Sequence, residues 1–446
     1  MEIIREGTDT IKQLLRMRAN NRRTYRINRY VLCEDTSDGL LLCNTITGEL
    51  ILLANEEQHI LKTLPGKLTD SLFELFERGF IVPDEYDEKK IVEQLRAILI
   101  KSQGNYYRNY VILPTTYCNA RCFYCYENSV KHVHMSEMNA LKLVDFIESH
   151  CDKRKINISW FGGEPLLGYD IINRICIELK NRNISFNSKM VSNGYLFDDY
   201  LIHDAVNCWN LKSVQITLDG TEEIYNRTKS YIYQEVNAYE RVLHNINDLL
   251  DNGIKVQIRL NLDNHNKGDL KNLIDDLYRR IKNKNQVVVY VRVLNENTGF
   301  SPLPHEQGDI EKLRAYASEL EEYIALKGMK ESGKTLPHLK INHCMADGWD
   351  QLLCSPDGTL GKCEHYIDKY SVGSLSDDVT NVEVLEEWKE KKYYPFCDDC
   401  PVFATCIKLK KCPVDKLSCS LREMEKKEAD FKEAMKITYY EYKASN

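Results

Sequence analysis

The feature that most limits the fold of this chain is a regular alternation of strand-like and helix-like segments between residues 109 and 294. Six segments are short and rich in β-branched residues, and the stretches between them have the period of amphipathic helices. These six are residues 110–116, 156–165, 184–194, 213–220, 255–263 and 287–294. The alternation predicts an α/β fold in which a parallel sheet curves into a partial (β/α)6 barrel of the TIM type. Ligands of such barrels bind at the carboxyl ends of the strands.

Length and charge limit the class of protein further. A chain of 446 residues predicts two to four folding units. It contains no run of eighteen apolar residues, and residues 1–26 are charged and lack the apolar core of a secretory signal, so we expect a cytoplasmic protein without a membrane span. The net charge of -7, with no long basic segment, argues against a general nucleic-acid binder.

The N-terminal residues predict a separate small αβ unit. The order is two strand-like runs, two helix-like runs, a short strand and an amphipathic helix, at residues 24–35, 39–53, 55–64, 68–78, 80–82 and 87–101. This order is typical of a winged-helix-like module.

The sixteen cysteines of the chain predict a metal protein, because a reducing cytosol does not sustain a disulfide framework. Cys118, Cys122 and Cys125 follow the first barrel strand, with three and two residues between them. Three thiolates bind three irons of a cubane cluster and leave the fourth iron open. A structural zinc ion would need a distant fourth Cys or His.

At this position and spacing the triplet resembles the radical S-adenosylmethionine (SAM) superfamily. The resemblance implies that Cys118, Cys122 and Cys125 hold a 4Fe-4S cluster. Its open iron would bind SAM, and an electron from the cluster would cleave SAM to a 5'-deoxyadenosyl radical that removes a substrate hydrogen.

Polar residues at the later strand ends extend the resemblance. Gly162, Gly163 and Glu164 are similar to the GGE motif with which the family binds the methionine ammonium. Each motif alone is also typical of an ordinary turn, and the resemblance rests on their order at successive strand ends. The other SAM contacts that it implies are Tyr124, Ser192, Asn193, Asp219, Arg227, Arg259 and Asn261.

A second group of cysteines, between residues 344 and 419, resembles a SPASM domain, which in the family binds two auxiliary 4Fe-4S clusters. The resemblance assigns Cys344, Cys363 and Cys412 to the first cluster, with Cys354 as candidate fourth ligand or as a buried strand thiol. It assigns the remaining four, Cys397, Cys400, Cys406 and Cys419, to the second. Five residues separate Cys406 from Cys412, where the family usually has three. The turn at residues 356–358 predicts a hairpin that carries Cys363.

Glu364 and His365 follow Cys363 directly and are candidates for the group that accepts a substrate proton. Some family members that oxidise peptide side chains have an acidic residue at this position. The alternative is that these two residues form a solvent-exposed end of the hairpin. A base must lie within hydrogen-bond reach of its proton, which the sequence does not show.

The resulting order of domains resembles that of radical SAM/SPASM maturases of ribosomally made peptides, including streptide-type and ranthipeptide or sactipeptide maturases. It predicts leader-peptide recognition in residues 1–103, a radical SAM barrel in 104–305, a helical bridging region in 306–343, and SPASM with a C-terminal helix in 344–446. The implied activity is an intrapeptide cross-link, either a thioether or a carbon-carbon bond.

The resemblance also implies the partners: a precursor peptide with a leader, which adds a strand to a sheet edge, and a low-potential electron donor such as flavodoxin or ferredoxin. Two alternatives stay open: a SPASM maturase of a folded protein such as a sulfatase, and an iron-sulfur redox-sensing winged-helix regulator. A regulator would not need polar residues at the strand ends, and a DNA reader would carry more positive charge.

Overall fold

Within its described residues the N-terminal unit contains six strands and three α-helices. The computed structural model describes residues 1–20, 22–102, 104, 106–151, 155–233, 237–294, 307–329, 335–367, 369–413 and 419–445. In chain order the first elements are β1 (Glu2–Arg5), α1 (Asp9–Leu15), β2 (Tyr25–Ile27), β3 (Val31–Asp35), β4 (Gly39–Asn44), β5 (Glu49–Ala54), α2 (Asp70–Glu77), β6 (Ile81–Pro83) and α3 (Glu88–Lys101).

These elements form an antiparallel sheet in the order β1-β5-β4-β3 and a separate β2-β6 pair. The run predicted at residues 24–35 is therefore divided between two sheets. The helix predicted at 55–64 is a short 3-10 turn over Gln58–Thr63. The sequence did not predict β1, because its two apolar residues, Ile3 and Ile4, form too short a run between the exposed Glu2 and Arg5.

The barrel follows the predicted alternation. Its six strands are β7 (Asn109–Thr115), β8 (Lys155–Gly162), β9 (Ser185–Ser192), β10 (Leu211–Leu218), β11 (Lys255–Leu262) and β12 (Val287–Val293). All neighbouring pairs are parallel and lie in chain order across the sheet. The helices between them are α4 (Glu137–His150), α5 (Tyr169–Asn181), α6 (Asp199–Asn207), α7 (Glu222–Lys229), α8 (Ala238–Asp251) and α9 (Leu270–Arg280). The predicted α/β fold with a large parallel sheet is confirmed.

Apolar residues of the strands and of the helix faces that cover them make one continuous core. Val214, Ile216, Val256 and Ile258 are completely buried on adjacent strands. Burial of such β-branched side chains on a parallel sheet is the main stabilising contribution to this part of the chain.

The C-terminal part extends the barrel sheet instead of forming a detached unit. Its elements are α10 (Gln307–Leu326), β13 (Gln351–Cys354), β14 (Thr359–Gly361), β15 (Gly373–Ser374), β16 (Asp378–Val379), α11 (Val382–Lys389) and α12 (Leu421–Ser445). Strand β13 pairs in parallel with β7. The predicted hairpin joins β13 to β14 through Gly358, whose φ of +91 favours glycine, and Cys363 follows two residues after β14.

The long helix α12 packs on the N-terminal sheet. Met435 and Tyr439 share a core with Leu41 and Leu50, and the Tyr439 hydroxyl donates to an Asp38 carboxylate oxygen at 2.6 Å. The first and last parts of the chain therefore form one packed body. Among the described helices, none is long and apolar enough to cross a membrane.

Candidate functional site

The loop after β7 carries the three cysteines of the first group. The Cys125 backbone N–H donates to the Cys122 carbonyl at 3.2 Å, and the Ala120 N–H donates to the Cys118 sulfur at 3.4 Å. Burial, followed by the charges of Glu164, Cys122 and Cys125, raises the pKa of Cys118 to about 12 against the lowering effect of the Ala120 N–H. These hydrogen bonds within the loop thus order the segment that carries the three thiols.

This geometry fits an iron-sulfur cluster. No group of three His, Cys, Asp or Glu side chains within the described ranges converges on a site for one metal ion. A cubane does not require such convergence, because each thiolate binds a different iron. Burial raises the pKa values of all three thiols, so positive charge of the kind that iron supplies is what would hold them as thiolates.

The two glycines at the end of β8 allow this strand to approach the cysteine loop closely. A Cβ on Gly162 would lie 2.2 Å from the Thr115 carbonyl oxygen, and one on Gly163 would lie 2.3 Å from the Tyr117 oxygen. The Glu164 N–H donates to the same Tyr117 oxygen at 2.8 Å. The Gly-Gly-Glu sequence is therefore needed for backbone contact with the residues that lead into Cys118.

Glu164 is fully buried and ties β8 to the end of β9. Its carboxylate accepts hydrogen bonds from the Ser192 hydroxyl at 2.9 Å and from the Asn193 N–H at 2.8 Å. Burial raises its pKa to about 7 against the effect of these bonds. The Asn193 amide in turn donates to the Asn119 side chain at 2.7 Å, which connects β9 to the cysteine loop.

A buried charge network fixes Tyr124. Its hydroxyl donates to Asp219 at 3.0 Å and accepts from the Lys229 ammonium at 3.0 Å, and Lys229 also pairs with Asp219 at 3.1 Å. The Asn261 amide donates to Asp219 at 3.1 Å, and Arg259 donates to Asn261 at 2.9 Å. The strand ends of β10 and β11 thereby hold the aromatic residue next to Cys125. Lys229 belongs to no motif, and the sequence analysis missed it.

A cavity of about 480 Å³ opens beside this network at the ends of β10, β11 and β12. Its size lies within the usual range for small-molecule sites. The Arg227 side chain reaches it while remaining 67% exposed, with Glu223 at 3.8 Å as its ion-pair partner. The cavity is lined by Phe123, Tyr124, Asp219, Ile224, Arg227, Thr228, Asp263, His265, Asn266 and Leu294.

The C-terminal cysteines fall into two groups. Cys363 interacts electrostatically with Cys344 and Cys412, and burial raises the pKa of Cys344 to about 11. Likewise Cys419 interacts with Cys397 and Cys406, and Cys400 interacts with both of these. Cys363 and Cys412 pack in one apolar cluster, and Cys397 and Cys400 pack in another. The assignment of all seven cysteines to two auxiliary clusters stays a prediction.

Cys354 does not lie with the first of these groups. It is 1% exposed and packs in the barrel core with Leu352 and Leu360. Its thiol donates to the Ser355 carbonyl at 3.6 Å, and burial followed by the charge of Asp357 raises its pKa. Of the two interpretations made from the sequence, the structure supports the buried strand thiol, because β13 is part of the barrel sheet.

Glu364 and His365 lie between the cysteine loop of the barrel and the first C-terminal group. The His365 ring is 4.4 Å from the Tyr126 ring. Burial lowers the pKa of His365, with opposing influence from Glu364 and further lowering by Arg259. The three residues Arg259, Tyr126 and His365 therefore connect the barrel to the hairpin that carries Cys363.

Glu127 is a second carboxyl at this place, and the sequence analysis missed it. It is 6% exposed, and its Oε2 atom has no hydrogen-bond partner. Burial, and then the charge of Glu364, raise its pKa to about 7. Its position two residues after Cys125 is the one cue that the sequence offers. A buried carboxyl of this kind calls for a functional explanation.

Comparisons with known proteins agree with this geometry. Residues 112–277 match the family described as the Radical SAM superfamily. The radical SAM cyclopropyl synthase TigE of Paramaledivibacter caminithermalis is 26% identical over 241 residues, which cover 47% of this chain and 50% of that protein. A probable GTP 3',8-cyclase of Methanococcus maripaludis is 31% identical over 125 residues, 27% of this chain and 39% of the relative. The chain thus spans half or less of these curated relatives.

Solved structures share the fold over a longer range. Streptococcus suis SuiB bound to precursor peptide SuiA superposes with a TM-score of 0.52 at 14% identity, covering 87% of this chain and 98% of SuiB. Native anSMEcpe with bound AdoMet gives 0.53 at 16% identity, covering 75% of this chain and 98% of the other. The chain therefore contains a radical SAM domain, within a fold shared beyond that domain.

Proposed function

We propose that this chain is a radical SAM enzyme that removes a side-chain or backbone hydrogen from a ribosomally made precursor peptide and forms a cross-link within that peptide. The observation that carries the proposal is the position of Glu127, Glu364 and His365 between two separate cysteine groups. Cleavage of SAM needs only the cluster of the barrel. A further group of cysteines near these polar residues, Cys344, Cys363 and Cys412, suits an enzyme that also oxidises a bound substrate. The peptide-bound SuiB and anSMEcpe structures of similar fold support a peptide as that substrate.

In this proposal Cys118, Cys122 and Cys125 hold a 4Fe-4S cluster, and SAM binds over the cavity beside Tyr124. When bound, the cluster and SAM supply the radical that removes a hydrogen atom from the peptide. The chain's own contribution is orientation. The Asp219–Lys229 pair holds the Tyr124 ring, and Glu164 fixes the strand ends around the cysteine loop.

The seven grouped C-terminal cysteines would hold two auxiliary clusters. With Cys354 in the barrel core, three thiols remain for the first of them, Cys344, Cys363 and Cys412. Three thiolates leave one iron free to bind a substrate thiolate. This observation favours a thioether as the product. The carbon-carbon alternative is supported by the similarity to a cyclopropyl synthase.

Glu364 and His365 are the proposed acceptors of the proton that the substrate loses. Both follow Cys363 directly, and the Nδ1 atom of His365 is buried without a hydrogen-bond partner. A base must lie within hydrogen-bond reach of its proton. We expect a substrate that binds between the two cysteine groups to come within this reach of Glu364 and His365.

The N-terminal unit is the proposed site of leader binding. In the described part of the chain β3 is an edge strand of the four-stranded sheet, and no strand pairs with its outer side. An extended peptide added there would gain backbone hydrogen bonds, with specificity from alternate side chains. Maturation of a folded protein would not need such an edge.

Mass spectrometry of the precursor peptide encoded beside this gene, after anaerobic reaction with enzyme, SAM and reductant, tests the proposal. A thioether requires a loss of two hydrogens together with loss of one alkylatable thiol. Loss of two hydrogens with all thiols still alkylatable would indicate the carbon-carbon link. An unchanged peptide, under conditions in which SAM is cleaved, would contradict a peptide substrate of this kind.

A further inference from the structure

Arg96 of α3 connects the N-terminal unit to the second C-terminal cysteine group, which consists of Cys397, Cys400, Cys406 and Cys419. Its side chain is 2% exposed. The terminal nitrogen Nη2 donates to the carbonyls of Phe403, Ala404 and Cys406 at 3.1, 3.1 and 2.9 Å, and Nε donates to the Lys340 carbonyl at 2.9 Å. One arginine thus holds the backbone between Cys400 and Cys406 from outside that segment.

A buried guanidinium is costly unless its donors are satisfied. Arg96 has one carboxylate partner, Glu93, at 2.8 Å, and Glu93 also accepts from Lys391 at 2.7 Å. Glu93 is therefore shared between two cations. The Nε and Nη2 atoms of Arg96 donate to backbone carbonyls, so the oxygen atoms of these carbonyls point toward α3. This arrangement orients the segment between the cysteines as well as fastening it.

A second cation approaches the same segment from α12. The Lys427 ammonium donates to the Thr405 carbonyl at 3.2 Å, and the charges of Cys406 and Cys400 act on it. Phe403 and Ala404 are buried in one core with Tyr30, Leu95 and Met435. Four consecutive carbonyls, from Phe403 to Cys406, thus accept side-chain hydrogen bonds from α3 and α12.

We infer that Arg96 is a positioning residue for the second auxiliary cluster, so that the N-terminal unit is part of that cluster's binding site. The inference rests on the proposed assignment of Cys397, Cys400, Cys406 and Cys419 to a cluster. Thiolate ligands make such a cluster anionic, and nearby positive charge and hydrogen bonding help to set its reduction potential. Arg96 and Lys427 supply that charge from two elements distant in sequence.

The test compares Arg96→Met, Arg96→Lys and the control Lys90→Met, which changes an exposed lysine of the same helix. Each full-length protein is reconstituted anaerobically, and iron, sulfide and EPR-monitored redox titrations are measured. Wild type and Lys90→Met should each bind about twelve irons. Arg96→Met should bind about eight and lose one auxiliary EPR signal. Any residual signal should titrate at a more negative potential, while the signal of the SAM-binding cluster is unchanged.

Arg96→Lys keeps the charge but has no planar fork of donors to span several carbonyls. It should bind an intermediate amount of iron, and it provides the test if circular dichroism shows that Arg96→Met is unfolded. A folded Arg96→Met with about twelve irons and wild-type titrations would overturn the inference alone. Wild type with about four irons would overturn the proposed auxiliary clusters, and the inference with them.

Discussion

The cysteine loop of the barrel and the second C-terminal cysteine group are built in opposite ways. Around Cys118–Cys125 the supporting hydrogen bonds come from the ends of neighbouring strands and the helix after β10, all within one regular sheet. Around Cys400–Cys406 the side-chain hydrogen bonds to the backbone come from α3 and α12, some 300 residues and 20 residues away in the chain. The first site is a local product of a repeating scaffold, and the second depends on how the chain ends are packed.

The largest expected effect tests whether the barrel site is independent. Replacing Cys118, Cys122 and Cys125 together by Ala should abolish formation of 5'-deoxyadenosine, because no thiolate remains to hold the SAM-binding cluster. Iron should fall from about twelve to about eight per chain, since the auxiliary groups lie on other elements. Chromatographic detection of 5'-deoxyadenosine and iron analysis measure both. Continued SAM cleavage by the triple variant would refute the assignment.

A second change removes the cation from the buried network beside Tyr124. Lys229→Met leaves Asp219 charged and unpaired at 2% side-chain exposure, which should cost about 3–5 kcal/mol of barrel stability and lower the thermal midpoint. Lys212→Met, an exposed position on β10, is the control and should leave the midpoint near that of wild type. Circular dichroism under anaerobic conditions provides the measurement.

The double variant Asp219→Asn with Lys229→Met sharpens this result. It removes both charges, so the combined loss should be smaller than the sum of the two single losses. Additive losses would mean that the ion pair is not the source of the effect.

A third change tests the close approach of β8 to the cysteine loop. A methyl group at Gly163 would meet the backbone oxygens of Tyr117 and Thr116 at 2.3 and 2.7 Å, so the strand must shift. Gly163→Ala should cost about 1–3 kcal/mol and reduce the rate of 5'-deoxyadenosine formation. Gly268→Ala is matched to it, because nothing lies within 4 Å of its Cβ. Equal rates for both variants would show that the contact has no role in SAM cleavage.

The barrel was open to prediction because strand period and motif order repeat along the chain. Buried residues alternate along β10 and β11, as expected for strands of a sheet. Because the strands are parallel, Gly162 to Glu164 at the end of β8 lie at the same edge of the sheet as the other strand ends. Lys229 was not predictable, since its partners Tyr124 and Asp219 meet it only after the strands have paired. The packing of α12 on the N-terminal sheet was hidden for the same reason. The sequence of a charged amphipathic helix shows which of its faces is apolar, but it does not show which surface that face packs against.

The smallest expected effect concerns Cys354. Its role decides whether the first auxiliary cluster has three cysteine ligands or four. Its burial among barrel residues predicts that Cys354→Ala loses only packing, about 1 kcal/mol, and still binds about twelve irons. Cys344→Ala is the matched control, because this exposed cysteine interacts with Cys363 and Cys412 and its loss should reduce the iron content. Iron analysis and auxiliary EPR signals compare the two variants.

If Cys354→Ala lost as much iron as Cys344→Ala, Cys354 would have to reach the cluster through movement of β13 away from β7. A fourth thiolate would then fill the iron that the thioether proposal leaves for the substrate. The carbon-carbon product would become the better supported one, so a single substitution in the barrel core separates the two chemistries.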